Sequence, residues 1–198
     1  MGFLIDNCVF APLTGELLSR LSDFSCKHES DIADFFSQKA VPAAKELMSK
    51  SYCFFDPDTK DMVAAFCVLN ATLQTEHLPN YARRALNKGV EYPKQRKQYP
   101  ATLLAQLAVF DKYADKHVGD ELMTFVLTWL HRNAMEMGNR FLVVDAINNE
   151  KVIEYYQRND FRLMFRTDEE ELIATGKNPE DSLSTRMMYY DLKRFGNN

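Results

Sequence analysis

The sequence predicts an α/β fold, on three observations. Two apolar stretches, residues 103–109 and 141–145, are each followed by a polar turn and then by a segment of helical periodicity, the order of a strand feeding a helix. Two further β-rich stretches flank Pro57-Asp58-Thr59-Lys60, a composition suited to a tight turn. A chain of 198 residues with 46% hydrophobic side chains can bury a core of useful size. No repeat, low-complexity run or glycine-rich linker divides it, so one domain over residues 1–198 is expected.

Taken in order, residues 8–13 read as an opening strand and 15–24 as a short helix with Leu17, Leu18 and Leu21 on one face. Ser30 has the chemistry of an N-cap, with Asp31 in the first turn and Ile32, Phe35 and Phe36 as apolar contacts. Pro42 then restarts a helix that runs to Met48, and residues 51–56 and 62–71 form a hairpin. Between Glu76 and Pro100 the chain is locally basic. Arg83, Arg84, Lys88, Lys94, Arg96 and Lys97 meet only Glu76 and Glu91, with Tyr81, Tyr92 and Tyr99 interleaved. Such a mixture can hold a phosphate backbone and stack on bases, or it can be a solvated connection.

The helix expected over residues 119–137 aligns Leu122, Phe125, Val126, Trp129, Leu130 and Met137, a core face. The acidic run Asp168, Glu169, Glu170 and Glu171, with Glu180 and Asp181, reads as a solvated segment before a last strand at 185–192, or as a field that steers a cationic amine inward.

Composition excludes several classes. The formal net charge is −4, and the four cysteines, Cys8, Cys26, Cys53 and Cys67, lack C-x-x-C spacing, so neither a zinc ribbon nor a redox pair is suggested. Cys26 and His28 have no second ligand pair nearby, and no metal is expected. The N-terminus lacks a basic start and a sustained apolar run, and no later stretch approaches a membrane span, so a cytoplasmic chain with no membrane partner is expected.

The functional signal lies in residues 103–161. Leu107-Ala108-Val109 close a strand, residues 110–119 form a turn that opens a helix, and Asn149 through Phe161 read Asn-Glu-Lys-Val-Ile-Glu-Tyr-Tyr-Gln-Arg-Asn-Asp-Phe. These residues resemble the GNAT superfamily of N-acetyltransferases, and the early region resembles a bacterial subgroup that includes tRNA-acetylating toxins. The resemblance implies a mixed, twisted, splayed sheet of about six to seven strands with helices on both faces. It implies acetyl-CoA as co-substrate, with backbone groups of Leu107, Ala108 and Val109 holding the pantetheine and the thioester oxygen. The pyrophosphate would lie on the turn and helix start formed by Ala114, Asp115, Lys116, His117, Val118, Gly119 and Asp120, where unpaired amides and the helix dipole favour an anion. Asn149 would contact the cofactor arm, and Tyr156 would be the general acid.

The turn departs from the family pattern. Ala114, His117 and Gly119 stand at the Gln/Arg, Gly and Gly/Ala positions, and only the last is retained. Glycine matters there because backbone must approach a pyrophosphate closely and can be required to take a positive φ; Asp115 and His117 add bulk, Asp115 adds negative charge, and Lys116 restores a positive one. Asp160 replaces the glycine before Phe161, a mild exchange because Asp tolerates a left-handed helix stop.

Amide formation needs an uncharged amine, a stabilised oxyanion and a protonated thiolate. Tyr156, with a reference pKa of about 10, stays a proton donor at neutral pH; the alternative for it is an ordinary helix aromatic, as Tyr155 beside it illustrates. No base is evident, since the polar members of the cofactor strand are Thr102 and Gln106. Deprotonation then runs through water or a carboxylate from another segment, such as Asp145, which favours an acceptor amine of low pKa. His117 could bond phosphate, and His131 reads as a surface residue. The acceptor is a primary amine on a small molecule, a protein or a charged tRNA. The alternatives are toxin-type acetylation of aminoacyl-tRNA and an inactive binding module of the same fold. A homodimer is possible, as in many relatives.

Overall fold

The computed structural model describes residues 2–22, 24–25, 30–93, 97–114 and 117–195. Its strands are β1 (Val9–Pro12), β2 (Lys50–Phe55), β3 (Met62–Gln74), β4 (Gln98–Val109), β5 (Phe141–Ile147), β6 (Arg162–Leu163) and β7 (Thr185–Asp191). Its α-helices are α1 (Phe3–Asn7), α2 (Gly15–Leu18), α3 (Ser30–Asp34), α4 (Ala40–Lys45), α5 (Asn80–Leu86), α6 (Val118–Met137), α7 (Glu150–Arg158) and α8 (Asp168–Ala174). Among the described residues the strands form a seven-stranded sheet in the order β1-β2-β3-β4-β5-β7-β6. β4 and β5 are parallel, whereas β1–β2, β2–β3, β5–β7 and β6–β7 are antiparallel, so the sheet is mixed as expected. The chain divides into two compact units, residues 1–69 with 104–126 and residues 70–103 with 127–198.

In the first unit, β3 is buried at every position from Met62 to Val68. A strand covered on both faces reads as a continuous apolar run, and here two aromatic and aliphatic layers supply the cover. Phe54 and Phe66 share one face with Phe10 and with Phe125 of α6, whose ring lies 4.7 Å from Phe10 and 4.8 Å from Phe54. Cys53, Ala65 and Cys67 take the other face, against Phe36, Ala40 and Phe110. The hairpin is closed by Asp56, whose Oδ1 accepts from the amides of Asp58 and Thr59 at 2.8 and 3.1 Å, while Lys60 takes a left-handed φ of 63°.

Three details correct the sequence reading. The helix expected over 15–24 is the single turn α2, capped by Thr14 Oγ1, which accepts from Leu17 N at 3.1 Å. Pro42 does not restart a helix: α3 passes through a π-helical turn, Phe35–Lys39, into α4, which holds Pro42 within it and ends at Lys45 rather than at Met48. The π turn sits where a proline without an N–H leaves the α ladder short of a donor. The start of the chain, for which no element was expected, forms α1. Glu121 Oε2 and Oε1 accept from the amides of Leu4 and Ile5 at 3.0 and 3.2 Å, so the cap comes from a residue remote in sequence. Gly2 is what lets that carboxylate approach, since a Cβ there would lie 2.3 Å from Glu121 Oε1.

In the second unit, β5 and β7 pair from Phe141↔Asp191 to Ile147↔Thr185. Tyr99, Ala101, Phe141 and Tyr189 face Ala82 and Leu86 of α5, with Leu73 and Met164 completing this core. Leu142, Val144, Met188 and Tyr190 point the other way, and Phe161, just past α7, packs on Tyr190 with 5.5 Å between ring centres. Helices therefore cover both faces, as the resemblance implied.

The locally basic stretch is not a bare connection. It contains α5, with Tyr81 engaged under Arg166 and Tyr99 buried with its hydroxyl donating to Asn87 Oδ1. Of its three tyrosines Tyr92 alone is exposed, at 69%, so two of the expected stacking platforms are occupied; Lys94 and Arg96 lie outside the described residues. The acidic run is likewise not simply solvated: it is α8, with Glu171 buried against Arg186. In α6 the described buried residues are Val118, Leu122, Met123, Val126, Leu127 and Leu130, whereas Trp129 is half-buried and Met137 is 61% exposed. His131, expected at the surface, is half-buried, donates through Nδ1 to the Leu192 carbonyl at 3.0 Å and stacks on Phe195.

Candidate functional site

The first half of the site is built on β4 and the start of α6. Parallel register pairs between β4 and β5 run from Ala101↔Phe141 to Leu103↔Val143, and Leu107, Ala108 and Val109 lie farther along β4. Ala108 is buried beside Phe36 and Phe110, while Leu107 and Val109 are half-buried. The strand leads into a 3-10 turn, Asp111–Tyr113, that is fixed at both ends. The Asp111 amide donates to the Ser25 carbonyl at 3.1 Å, its carboxylate accepts from Ser25 Oγ at 2.8 Å, and buried Tyr113 donates its hydroxyl to Asp61 at 3.0 Å. Lys112 pairs with the same Asp61 oxygen, and together these contacts hold the Asp61 carboxyl below its ordinary range, with Lys112 the largest cause.

Ala114 follows as the exposed C-cap of that turn, and Asp115 and Lys116 lie outside the described residues. His117 is exposed and adopts φ 55°, the left-handed region that glycine occupies at no steric cost. An imidazole thus occupies a backbone conformation that glycine adopts most easily. Val118 is fully buried and anchors the first turn of α6, leaving Gly119 and Asp120 half-buried behind it. The twenty residues of α6 give a full helix dipole at this end. The first-turn carboxylate of Glu121 is committed to the α1 amides.

The second half is built on β5 and α7. Asn149 is the N-cap of α7, its Oδ1 accepting from Lys151 N at 3.0 Å, a role that sequence reasoning did not assign to it. Tyr156 is half-buried on α7, its ring 5.2 Å from Phe161 and 5.4 Å from Tyr155. The Tyr156 carbonyl accepts from Asn159 N and Phe161 N, and Asp160 takes φ 65°, the left-handed helix stop expected of it. The structure therefore gathers Leu107, Ala108, Val109, Ala114, His117, Val118, Gly119 and Asp120 in one unit, and Asn149 and Tyr156 in the other.

A cavity that the sequence did not disclose lies in the second unit. It has a volume of about 350 Å³ and is lined by Leu73, Leu78, Leu103, Val143, Phe165 and Met187, with Asp145 and His77 among its polar groups. Asp145 reaches solvent, yet the apolar wall strips part of its hydration and raises its pKa, an effect that Lys177 opposes. The alternation along β5 could have found it, because Val143 and Asp145 share a face. Among the described residues no group of three or more His, Cys, Asp or Glu side chains is placed to hold a metal, and no helix is long and apolar enough to cross a membrane.

No protein-family model matches the chain, and no curated protein matches it. Among solved structures, a tyrosine-to-phenylalanine variant of KacT superposes with a TM-score of 0.73 at 15% identity, covering 95% of this chain and 96% of that one. AtaT complexed with acetyl-methionyl-tRNAfMet gives 0.70 at 15% identity, covering 94% and 96%. AtaTR bound with AcCoA gives 0.67 at 15% identity, covering 95% of both chains. The chain therefore has the GNAT fold that these toxins share.

Proposed function

We propose that the protein is an acetyl-CoA-dependent N-acetyltransferase that passes the acetyl group directly to a primary amine. The observation that carries this reading is His117. A non-glycine residue held at φ 55° immediately before a twenty-residue helix has no packing role, being exposed, but it turns the chain so that the amides of Val118, Gly119 and Asp120 open the helix. Such a terminus suits a pyrophosphate. The fold is that of AtaT, which has been seen with acetyl-CoA.

In this reading the backbone of Leu107, Ala108 and Val109 positions the pantetheine and the thioester oxygen, residues 114–120 hold the pyrophosphate, and Asn149 contacts the cofactor arm. Tyr156 donates a proton to the departing thiolate. KacT and AtaT both have solved structures as tyrosine-to-phenylalanine variants, and Tyr156 is the tyrosine that the sequence resemblance selects here. Its packing against Phe161 fixes the ring, so the hydroxyl has a defined direction.

A second reading narrows the acceptor to the α-amine of an aminoacyl-tRNA. It is favoured by one neighbour, AtaT complexed with acetyl-methionyl-tRNAfMet, and by exposed Arg83 and Arg84 on α5. Calorimetric titration with acetyl-CoA tests the common premise. One-to-one binding, followed by product from an amine panel that includes charged tRNA, supports an enzyme. No heat and no thermal stabilisation at millimolar cofactor would leave a GNAT-fold binding module. Product from charged tRNA that disappears with rising salt, or with Arg83→Glu and Arg84→Glu, would select the second reading over a small-molecule acceptor.

A further inference from the structure

We infer that the cavity beside β5 is the acceptor site, that it takes a primary ammonium carried on one compact apolar group, and that Asp145 binds this ammonium and removes its proton. The inference rests on the acetyltransferase reading and supplies the base which that reading lacks.

The placement follows from register. Asp145 pairs with Met187 and Val143 with Tyr189, so these four share one face of the sheet; Val143 also pairs with Leu103 of β4. That face carries the cavity. Leu142 pairs with Tyr190 on the opposite face, where Phe161 packs on Tyr190 and Tyr156 packs on Phe161. Asp145 and Tyr156 therefore stand on opposite sides of the same strand. The amine arrives and the sulfur departs on different bonds of one carbon, so a base and an acid can approach it from different sides.

Size and charge define the occupant. At about 350 Å³ the cavity lies near the lower end of the roughly 300–1,000 Å³ of small-molecule sites, room for one amino-acid-sized group. Its walls are aliphatic and aromatic, which selects an apolar substituent, and its acidic lining residue is Asp145, which selects a cation at one end. No described residue hydrogen-bonds the Asp145 carboxylate. Its carboxylate is open to solvent on one side and stripped of part of its hydration by the apolar wall on the other, which leaves it available to a cationic ligand. The charged and titratable groups that face it are Lys177, which favours its ionised form, and His77 across the cavity. Desolvation brings the carboxyl closer to the amine in basicity, the direction a general base requires.

The step balances as follows. The ammonium gives one proton to Asp145, the free amine attacks the thioester carbon, the C–N bond forms and the C–S bond breaks. The nitrogen loses its second proton as the amide forms, and the thiolate gains one from Tyr156. The proton lost from nitrogen restores the tyrosine, and Asp145 releases its own to solvent, so ammonium and thioester yield amide, thiol and one proton.

The test uses leucinamide, an α-amine on a compact apolar side chain, with glycinamide as its truncated control. Binding is followed by ligand-observed NMR without cofactor, and turnover by mass spectrometry with acetyl-CoA. Leucinamide should bind the wild type saturably and glycinamide weakly. Asp145→Asn, nearly isosteric, should weaken leucinamide by about tenfold to a hundredfold, the worth of a charged hydrogen bond. Ala174→Phe, which fills the cavity, should abolish binding. In turnover, Asp145→Asn should lose most at low pH and recover as the pH passes the amine's own pKa, whereas a merely structural loss would be the same at every pH. Leucinamide binding indifferent to both variants would overturn the inference even if acetyl-CoA binds. Binding that responds to both, in a protein that never binds acetyl-CoA, would keep the amine site and remove the acetyltransferase.

Discussion

Arg186 Nε donates to Glu171 Oε2 at 2.8 Å, and both side chains are buried. The pair ties β7 to α8. Arg186 also meets Asp168 and donates to the Phe165 carbonyl at 2.9 Å, and Glu171 Oε1 accepts from the Met187 amide at 2.7 Å, so every strong group here is satisfied. Removing one partner leaves the other charge buried and alone. Arg186→Ala should therefore cost about 3–5 kcal/mol in urea unfolding, and the double variant Arg186→Met with Glu171→Leu should recover much of that loss. Additive losses in the double variant would mean the pair is not coupled.

Tyr156→Phe should keep the fold, because the ring contacts with Tyr155 and Phe161 need no hydroxyl. Acetyl-CoA affinity should also hold. Turnover should fall by about a hundredfold or more, since only the proton donor is lost. Steady-state kinetics with any accepted amine, beside a cofactor titration, separates the two quantities; unchanged turnover removes Tyr156 from the chemistry.

Elements whose cause is local were legible in the sequence. The apolar runs of β4 and β5, the periodicity of α6 and the left-handed stop at Asp160 each depend on neighbours within a few residues, and each was found, although β4 begins at Gln98, five residues before its expected start and inside the basic stretch. Elements whose cause is distant were not. The amides of α1 are satisfied by Glu121, α8 looks solvated until Arg186 arrives beneath it, and α5 looks like a charged connection because its buried members are only Ala82 and Leu86. The same division runs through the site. The proposed roles of positions 114–120 and Tyr156 rest on spacing, whereas the cavity wall comes from six separate stretches of chain, and only the alternation along β5 hints that Val143 and Asp145 share it.

Asp61 should make the fold acid-sensitive. Lys112, Thr59 and Tyr113 hold its carboxyl below the ordinary value, so its contribution is complete above the unfolded reference of about 3.9 and disappears as pH falls through the lower folded value. Asp61→Asn should lower Tm at pH 7, and the gap from wild type should close in acid below about pH 4. A gap that persists in acid would assign the loss to packing around Tyr113 instead.

Asp145 has the opposite sign. Its folded pKa is raised, so the ionised form is the disfavoured one in the native state, and stability increases as pH falls from the folded value toward about 3.9. Asp145→Asn should be slightly more stable than wild type at pH 7, with the advantage fading in acid. A thermal gain beside a catalytic loss is the signature of a group kept for function. Melting curves at a few pH values decide it, and a less stable Asn variant at pH 7 would count against the desolvated carboxylate.

His117 gives the sharpest handle on the cofactor turn. Its φ of 55° costs an ordinary L-residue roughly 1–2 kcal/mol, less for His than for a β-branched side chain. Glycine removes that cost but adds freedom to the unfolded chain, about 0.5–1 kcal/mol in the other direction. His117→Gly should therefore be near neutral or mildly stabilising, and His117→Val clearly destabilising. The functional consequence is separate from stability: glycine also removes the imidazole's bulk from the turn that opens α6. If the pyrophosphate docks there, acetyl-CoA should bind in the order Gly tighter than His tighter than Val, read by calorimetry on the same three proteins. A Tm that follows this series while the Kd stays flat would place the pyrophosphate somewhere other than the start of α6.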